Sequence, residues 1–256
     1  NFELTSESIK GQFIYAKPNF NYSDNTLFTS IKSSTSDFLT DSGYKTSEIG
    51  FSLGTKFEQF QNIFLSPELD FLIEDLETTN EASNILKKQE GSYTDLYFNY
   101  SINQDLRDKK FRTEDGYVTT FSQELPLVSD NAEFSNAFEI TNFKKLSSTS
   151  DMVGKISFFG KTITGLSDDV RISKRLNIPS KRLRGFQRGK VGPVDNNDYV
   201  GGNHVSSLNL SATLPTLVQG LDNLDVGVFF DAANVWGVDY DSSIDDKSTV
   251  RSSAGV

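Results

Sequence analysis

Apolar and polar side chains alternate along most of this chain, and that alternation restricts it to half-exposed β-strands. Along 47–54, Ile49, Phe51 and Leu53 alternate with Glu48, Gly50, Ser52 and Gly54. Along 63–74, Leu65, Leu69, Phe71 and Ile73 oppose Ser66, Glu68, Asp70 and Glu74. Leu96, Phe98, Tyr100 and Ile102 oppose Tyr97, Asn99, Ser101 and Asn103, and Phe134, Phe138 and Ile140 oppose Glu133, Ser135, Glu139 and Thr141. Leu208, Leu210, Ala212 and Leu214 alternate with Ser207, Asn209, Ser211 and Thr213. Successive strand side chains point to opposite faces, so each segment has one apolar and one polar face. Eleven candidate strands follow, near 9–17, 26–38, 45–58, 61–77, 93–104, 117–128, 132–146, 152–164, 203–214, 225–236 and 250–256. Each is about ten residues, the length that crosses a bilayer at a tilt. Turn clusters such as Asp41-Ser42-Gly43, Glu114-Asp115-Gly116 and Ser129-Asp130-Asn131 separate them. Short and long connections are expected to alternate, as in outer-membrane barrels.

Helical periodicity is almost absent, with 82–89 the one weak candidate. The longest strandless stretch is 165–202, and connections of that length are usually functional or disordered. It concentrates Lys174, Arg175, Lys181, Arg182, Arg184, Arg188 and Lys190 in a chain that is otherwise acidic.

Composition removes several function classes. With 35 acidic and 25 basic residues among 256, the net charge is −10, which disfavours nucleic-acid binding. There is no Cys, which excludes disulfides, thiolate metal centres and cysteine nucleophiles. The single His, His204, excludes multi-histidine metal sites and argues against Ser-His-Asp catalysis. Glu68 and Asp70 share one strand face with no convergent partner, so neither acid–base catalysis nor a metal site is expected. No cofactor and no enzymatic activity are expected. Apolar residues make up only 36%, yet 21 Phe and 9 Tyr are too many for a disordered chain. No run approaches 18 apolar residues, the length of a membrane-spanning helix. Asn1 is not followed by a basic start and an apolar stretch, so the chain reads as a mature or truncated product without a signal peptide.

Two folds place these apolar faces out of water. A soluble β-sandwich packs them sheet to sheet. A transmembrane antiparallel up-and-down barrel turns them to lipid and its polar faces to a wet lumen. The strands are longer and more numerous than the roughly seven short ones of a sandwich. The polar faces hold Glu48, Glu68, Asp70, Glu133 and Glu139, and Tyr15, Tyr117 and Trp236 stand near strand ends, as in an interfacial girdle. All three features favour the barrel. Backbone groups in lipid must all be paired, so a barrel must close. Eleven strands with a short final segment therefore read as part of a larger barrel.

The stretch Lys181-Arg182-Leu183-Arg184-Gly185-Phe186-Gln187 resembles the Arg-Gly-Phe signature of the BamA-type outer-membrane assembly factors, the POTRA-associated bacterial surface antigen family. Downstream order and spacing agree. Val191-Gly192-Pro193 follows, Gly201-Gly202-Asn203 opens the next strand, and Leu214-Pro215 ends it. The run from Gly227 to Trp236 is similar to the family's following strand, and Arg251 to Val256 to the start of another. Upstream, Asp105, Arg107, Phe111, Thr113 and Gly116 resemble a family turn, with Arg112 where a proline is usual.

The resemblance implies that residues 1–256 cover about the third or fourth to the start of the fourteenth strand of a sixteen-stranded barrel. POTRA domains and terminal strands would lie outside this chain. It implies a bacterial outer-membrane location and folding and insertion of other β-barrels without nucleotide. The implied partners are unfolded outer-membrane β-barrel substrates, accessory periplasmic lipoproteins and the lipid bilayer. Related readings are a two-partner secretion or autotransporter-assembly transporter and a passive diffusion porin. In the family, loop 165–202 folds into the lumen and its motif, Leu183, Arg184, Gly185, Phe186 and Gln187, meets the wall. Gly185 would permit a tight or close-lying tip and Phe186 would anchor it by apolar packing. Val226, Val228, Phe230 and Ala232 share the lipid face, so Asp231 faces inward and is the expected ion-pair partner of Arg184. A second family carboxylate is replaced here by Ser211, which is expected to accept one hydrogen bond.

Overall fold

A computed structural model describes residues 2–5, 8–214, 226–244 and 249–256. Its strands are β1 (Phe2–Leu4), β2 (Ser8–Lys17), β3 (Thr26–Phe38), β4 (Tyr44–Phe60), β5 (Ile63–Thr78), β6 (Gly91–Asp105), β7 (Gly116–Ser129), β8 (Glu133–Lys145) and β9 (Val153–Gly165). They continue with β10 (Val194–Asp195), β11 (Asp198–Tyr199), β12 (His204–Thr213), β13 (Gly227–Trp236) and β14 (Arg251–Gly255). Twelve of them form one sheet in the order β1 to β9, then β12, β13 and β14, and every neighbouring pair is antiparallel. This is the expected all-β meander. The sheet ends at β1 and β14, which are not paired to each other.

The eleven segments expected from alternation match β2–β9 and β12–β14 to within two residues. Residue 225 and Pro215, offered as strand boundaries, lie outside the described residues. Two elements escaped the alternation. β1 is too short to show a period. In the β10–β11 hairpin, Asn196 and Asn197 supply positive φ of 49° and 73°, as a two-residue hairpin turn requires. The weak helical stretch contains a single turn, Asn84–Lys87, capped by Ser83 Oγ accepting from the Leu86 N–H. No described helix is long and apolar enough to cross a membrane, which does not bear on strands.

The two faces differ as a lipid-embedded barrel wall requires. Ile49, Phe51 and Leu53 of β4, Leu69, Phe71 and Ile73 of β5, Leu208 and Leu210 of β12, and Val228 and Phe230 of β13 are all exposed on the outer face. A sandwich would bury them under a second sheet; the only other sheet among the described residues is the β10–β11 hairpin. On the inner face lie Ser30, Ser52, Ser135, Thr141, Ser157, Ser207 and Asp231, all buried. Ser30 and Ser52 share a 2.8 Å hydrogen bond, as do Thr141 and Ser157.

The interior is not uniformly wet. One apolar cluster joins wall residues Ile163, Val205, Ala233 and Val235 to Val170, Leu176, Ile178, Leu183 and Val191 of the long loop. A second joins Tyr44 and Leu76 to Ala82, Leu86, Ile172, Val200 and Val238. Among the described residues the dry core is thus the contact of the inner wall with the long loop and with the connections that follow β5 and β13.

Connection lengths depart from strict alternation. At the end from which the long loop springs, connections range from 130–132 to 166–203; at the other end those wholly within the described residues range from 61–62 to 106–115. In the latter, Arg107 grips Asp105 with two side-chain bonds of 2.8 and 2.7 Å, and Arg112, standing where proline was expected, takes φ 51°.

Candidate functional site: the internal loop and its seats

The loop leaves β9 at Gly165, where an added Cβ would stand 2.0 Å from the Asp168 carbonyl oxygen. Only glycine lets the chain turn inward there. The two arms meet again at a neck. Leu176 N–H donates to the Gly202 carbonyl at 2.7 Å, and Gly202 N–H returns the bond at 3.0 Å. Residues 166–175 therefore form a root on the strand side of the neck, and 177–201 form a closed eyelet beyond it.

At the eyelet's tip, Arg184 meets Asp231 as a fork on a carboxylate. Nε lies 2.7 Å from Oδ2 and Nη2 lies 2.8 Å from Oδ1, and the Arg184 backbone N–H adds a 3.1 Å bond to Oδ2. The guanidinium also covers the Phe229 ring at 3.5 Å. Asp231 is fully buried, whereas the Arg184 side chain keeps 41% exposure. That exposure makes this a half-solvated pair, well short of the strength of a dry one.

The second partner of Asp231 is Asn209, not Ser211. Asn209 stands directly opposite Asp231 in the β12–β13 register. Its Nδ2 donates to Asp231 Oδ1 at 2.8 Å and to the Arg182 carbonyl at 2.7 Å. Ser211 faces inward as expected but lies two residues further along, opposite Phe229 and Lys155. One pleat repeat, roughly 7 Å, separates it from the carboxylate, so the expected hydrogen bond to the loop is replaced by that of Asn209.

The other motif residues divide. Gly185 adopts φ 83°, the left-handed conformation a tight tip needs. A Cβ there would meet nothing within 4 Å, so close approach to the wall is not its reason. Phe186 is 37% exposed and is not the apolar anchor expected of it. Leu183 takes that role, at 2% exposure inside the first apolar cluster. Gln187 accepts a 3.3 Å bond from Lys190 N–H within the tip.

Three further arginines hold the loop in the same way, each with a carboxylate and an aromatic ring. Arg182 pairs with Glu139 at 2.7 Å and covers Phe159 at 4.1 Å. Arg175 bonds Asp239, bonds Asn203 Oδ1 at 2.9 Å, and covers Tyr240 at 4.9 Å. Arg171, in the root, is the most enclosed. Its side chain is fully buried over the Tyr93 ring at 4.5 Å. Nη1 bonds Glu74 at 3.1 Å, Nη2 bonds Asp95 at 2.6 Å and Glu133 at 3.0 Å, and Nε bonds Glu133 at 3.1 Å. Its backbone N–H donates to the same Glu133 at 2.9 Å. The three acids come from β5, β6 and β8 and are themselves buried.

These environments shift the loop's charges. Burial alone would weaken the Arg171 guanidinium's hold on its proton, but the bonds and charges of Glu133, Asp95 and Glu74 outweigh it and raise the pKa. The Asp231 carboxylate raises that of Arg184. Burial would push the Asp239 carboxyl up, yet Arg175, the Val170 N–H and Asn203 hold it below the usual carboxylate range.

Arg171 with Glu74, Asp95 and Glu133 went unrecognised as a set in the sequence, as did Asn209 at the tip. The available signal was a surplus of inward acids at one end of the strands, which requires a buried cation nearby. His204, the lone histidine, packs on Trp236 at 5.5 Å between ring centres, at the end of β12. Among the described residues no group of three or more acidic or histidine side chains is placed to hold a metal ion.

The long loop is thus a charge-paired plug seated on the inner face of an outward-apolar sheet. Comparison with known proteins agrees with that architecture. No curated protein matches the sequence. A crystal structure of BamA from Haemophilus ducreyi lacking POTRA domains 1–3 superposes with a TM-score of 0.83 at 19% identity. The match covers 98% of this chain and 55% of that one, so the chain spans about half the length of this relative. The model of the Omp85 superfamily domain matches residues 1–256. With the whole chain matched, and with its outer face dressed for lipid, this protein belongs to the Omp85 superfamily of bacterial outer-membrane β-barrels.

Proposed function

We propose that the protein containing this chain folds and inserts other β-barrel proteins into the outer membrane. The observation that supports this reading most is the seated loop, with Arg184 on Asp231 within a BamA-like barrel wall. A plugged lumen suits a machine that works through its wall and its edge better than one that conducts solutes. The mechanism is templating. A seam in the complete barrel opens, an incoming strand adds to the exposed edge, and backbone hydrogen bonds drive the addition. No nucleotide, cofactor or catalytic side chain takes part. The partners are unfolded barrel substrates, accessory periplasmic lipoproteins and the bilayer. This chain contributes the rigid wall and the plug.

Depletion of the intact protein in its own cells tests the reading. Unrelated outer-membrane barrels should then lose their folded, heat-modifiable form while their unfolded precursors accumulate. If only one dedicated exported protein is lost, the chain serves two-partner secretion or autotransporter assembly. Steady conductance of the purified protein in a planar bilayer would instead support a porin.

A further inference from the structure

We infer that Arg171, outside the recognisable motif, is the residue that positions the whole internal loop, and that the Arg184 contact depends on it. The inference rests on 165–202 being a plug within the lumen and not on insertion activity.

Three observations carry it. The first is enclosure. Arg171 has no exposed side-chain surface, and each of its guanidinium nitrogens meets a buried carboxylate; Arg184 meets one carboxylate and is 41% exposed. Removing one partner of a buried ion cluster is far more costly than removing a half-solvated one. The second is reach. Through Glu74, Asp95 and Glu133, Arg171 ties β5, β6 and β8 together, whereas Arg184 touches β13 alone. The third is chain order. Arg171 lies in the root, ahead of the Leu176–Gly202 neck, and Arg184 lies in the eyelet beyond it. A root fixed to the wall sets where the eyelet can land, while a tip contact does not fix the root.

Neighbouring groups support a root built as a unit. Val170 N–H donates to Asp239 at 2.8 Å and Ile172 N–H donates to Gln89 Oε1 at 2.8 Å, so the residues flanking Arg171 are also held. Val170 and Ile172 are buried in the two separate apolar clusters. Arg171 sits at the junction of both cores.

Residues 1–256 hold no cysteine, so one thiol introduced here reports loop position, and the parent protein without it supplies the background to subtract. Ser207 on β12 is 2% exposed, and Ser207→Cys is nearly isosteric. Its labelling by a water-soluble maleimide is measured on the intact protein in outer-membrane vesicles, with heat-modifiability as the folding control. In this background Arg184→Ala should raise the labelling rate about threefold, and Arg171→Lys at least about tenfold, since an ammonium cannot reproduce the fork. Arg171→Met combined with Glu74→Gln, Asp95→Asn and Glu133→Gln leaves no unpaired acid around residue 171 and should keep the barrel folded, as heat-modifiability checks. It too should raise labelling at least about tenfold, because the guanidinium is gone. The inference is overturned if this neutralised variant labels as slowly as its parent, or if Arg184→Ala labels as fast as either Arg171 variant. Labelling reads the plug whether or not barrel insertion continues, so loss of the insertion reading leaves this result standing.

Discussion

The loop is held at two ends by the same chemistry in different surroundings. At the tip, Arg184 joins one ring and one carboxylate, which it shares with the Asn209 amide, and stays partly in water. At the root, Arg171 joins three carboxylates from three strands and sees no water. The tip carries the family signature, and the root carries the enclosure. A motif marks where a fold is recognisable, which is not where it resists removal most. Solvent decides the difference, because a guanidinium–carboxylate contact is screened at the tip and unscreened at the root.

That contrast breaks most readily at the root. Arg171→Met alone should destabilise the folded barrel by about 3–5 kcal/mol, read as a lowered midpoint in urea or in the heat-modifiability transition, because three buried acids lose their counter-charge. A smaller cost, about 2–4 kcal/mol in the same assay, is expected for Leu183→Ala, which opens a cavity under the tip. If Leu183→Ala costs less than Arg184→Ala, the tip is held by charge and the comparison inverts. Arg184→Ala itself should cost about 1–2 kcal/mol, given its exposure and the remaining Asn209 bond to Asp231. Asn209→Ala should cost about 1 kcal/mol, while Ser211→Ala should stay within about 0.5 kcal/mol of the parent. Equal effects at Asn209 and Ser211 would undo the assignment of the wall partner.

The strands were legible because lipid enforces alternation residue by residue. Ile49, Phe51 and Leu53 need no tertiary information to declare a face. Asp231 was legible for the same reason, since it sits between Phe230 and Ala232 on a strand of known parity. Ser211 against Asn209 was not, because parity places both on the inner face and only the cross-strand register selects one of them. Arg171 was still less visible. Its seat is assembled from Glu74, Asp95 and Glu133, far apart in sequence, and no local pattern around Val170-Arg171-Ile172 announces it. The dry interior was hidden similarly: Leu76 points inward from β5 against the polar trend of that face, and that departure makes sense only once Ile172 and Val200 of the loop are packed with it.

The hydrogen-bonded pinch between Leu176 and Gly202 has a mechanical corollary. Tension on residues 177–201 is borne by this clasp before it reaches the β9–β12 ladder, so a proteolytic nick within that stretch should leave both strands in register.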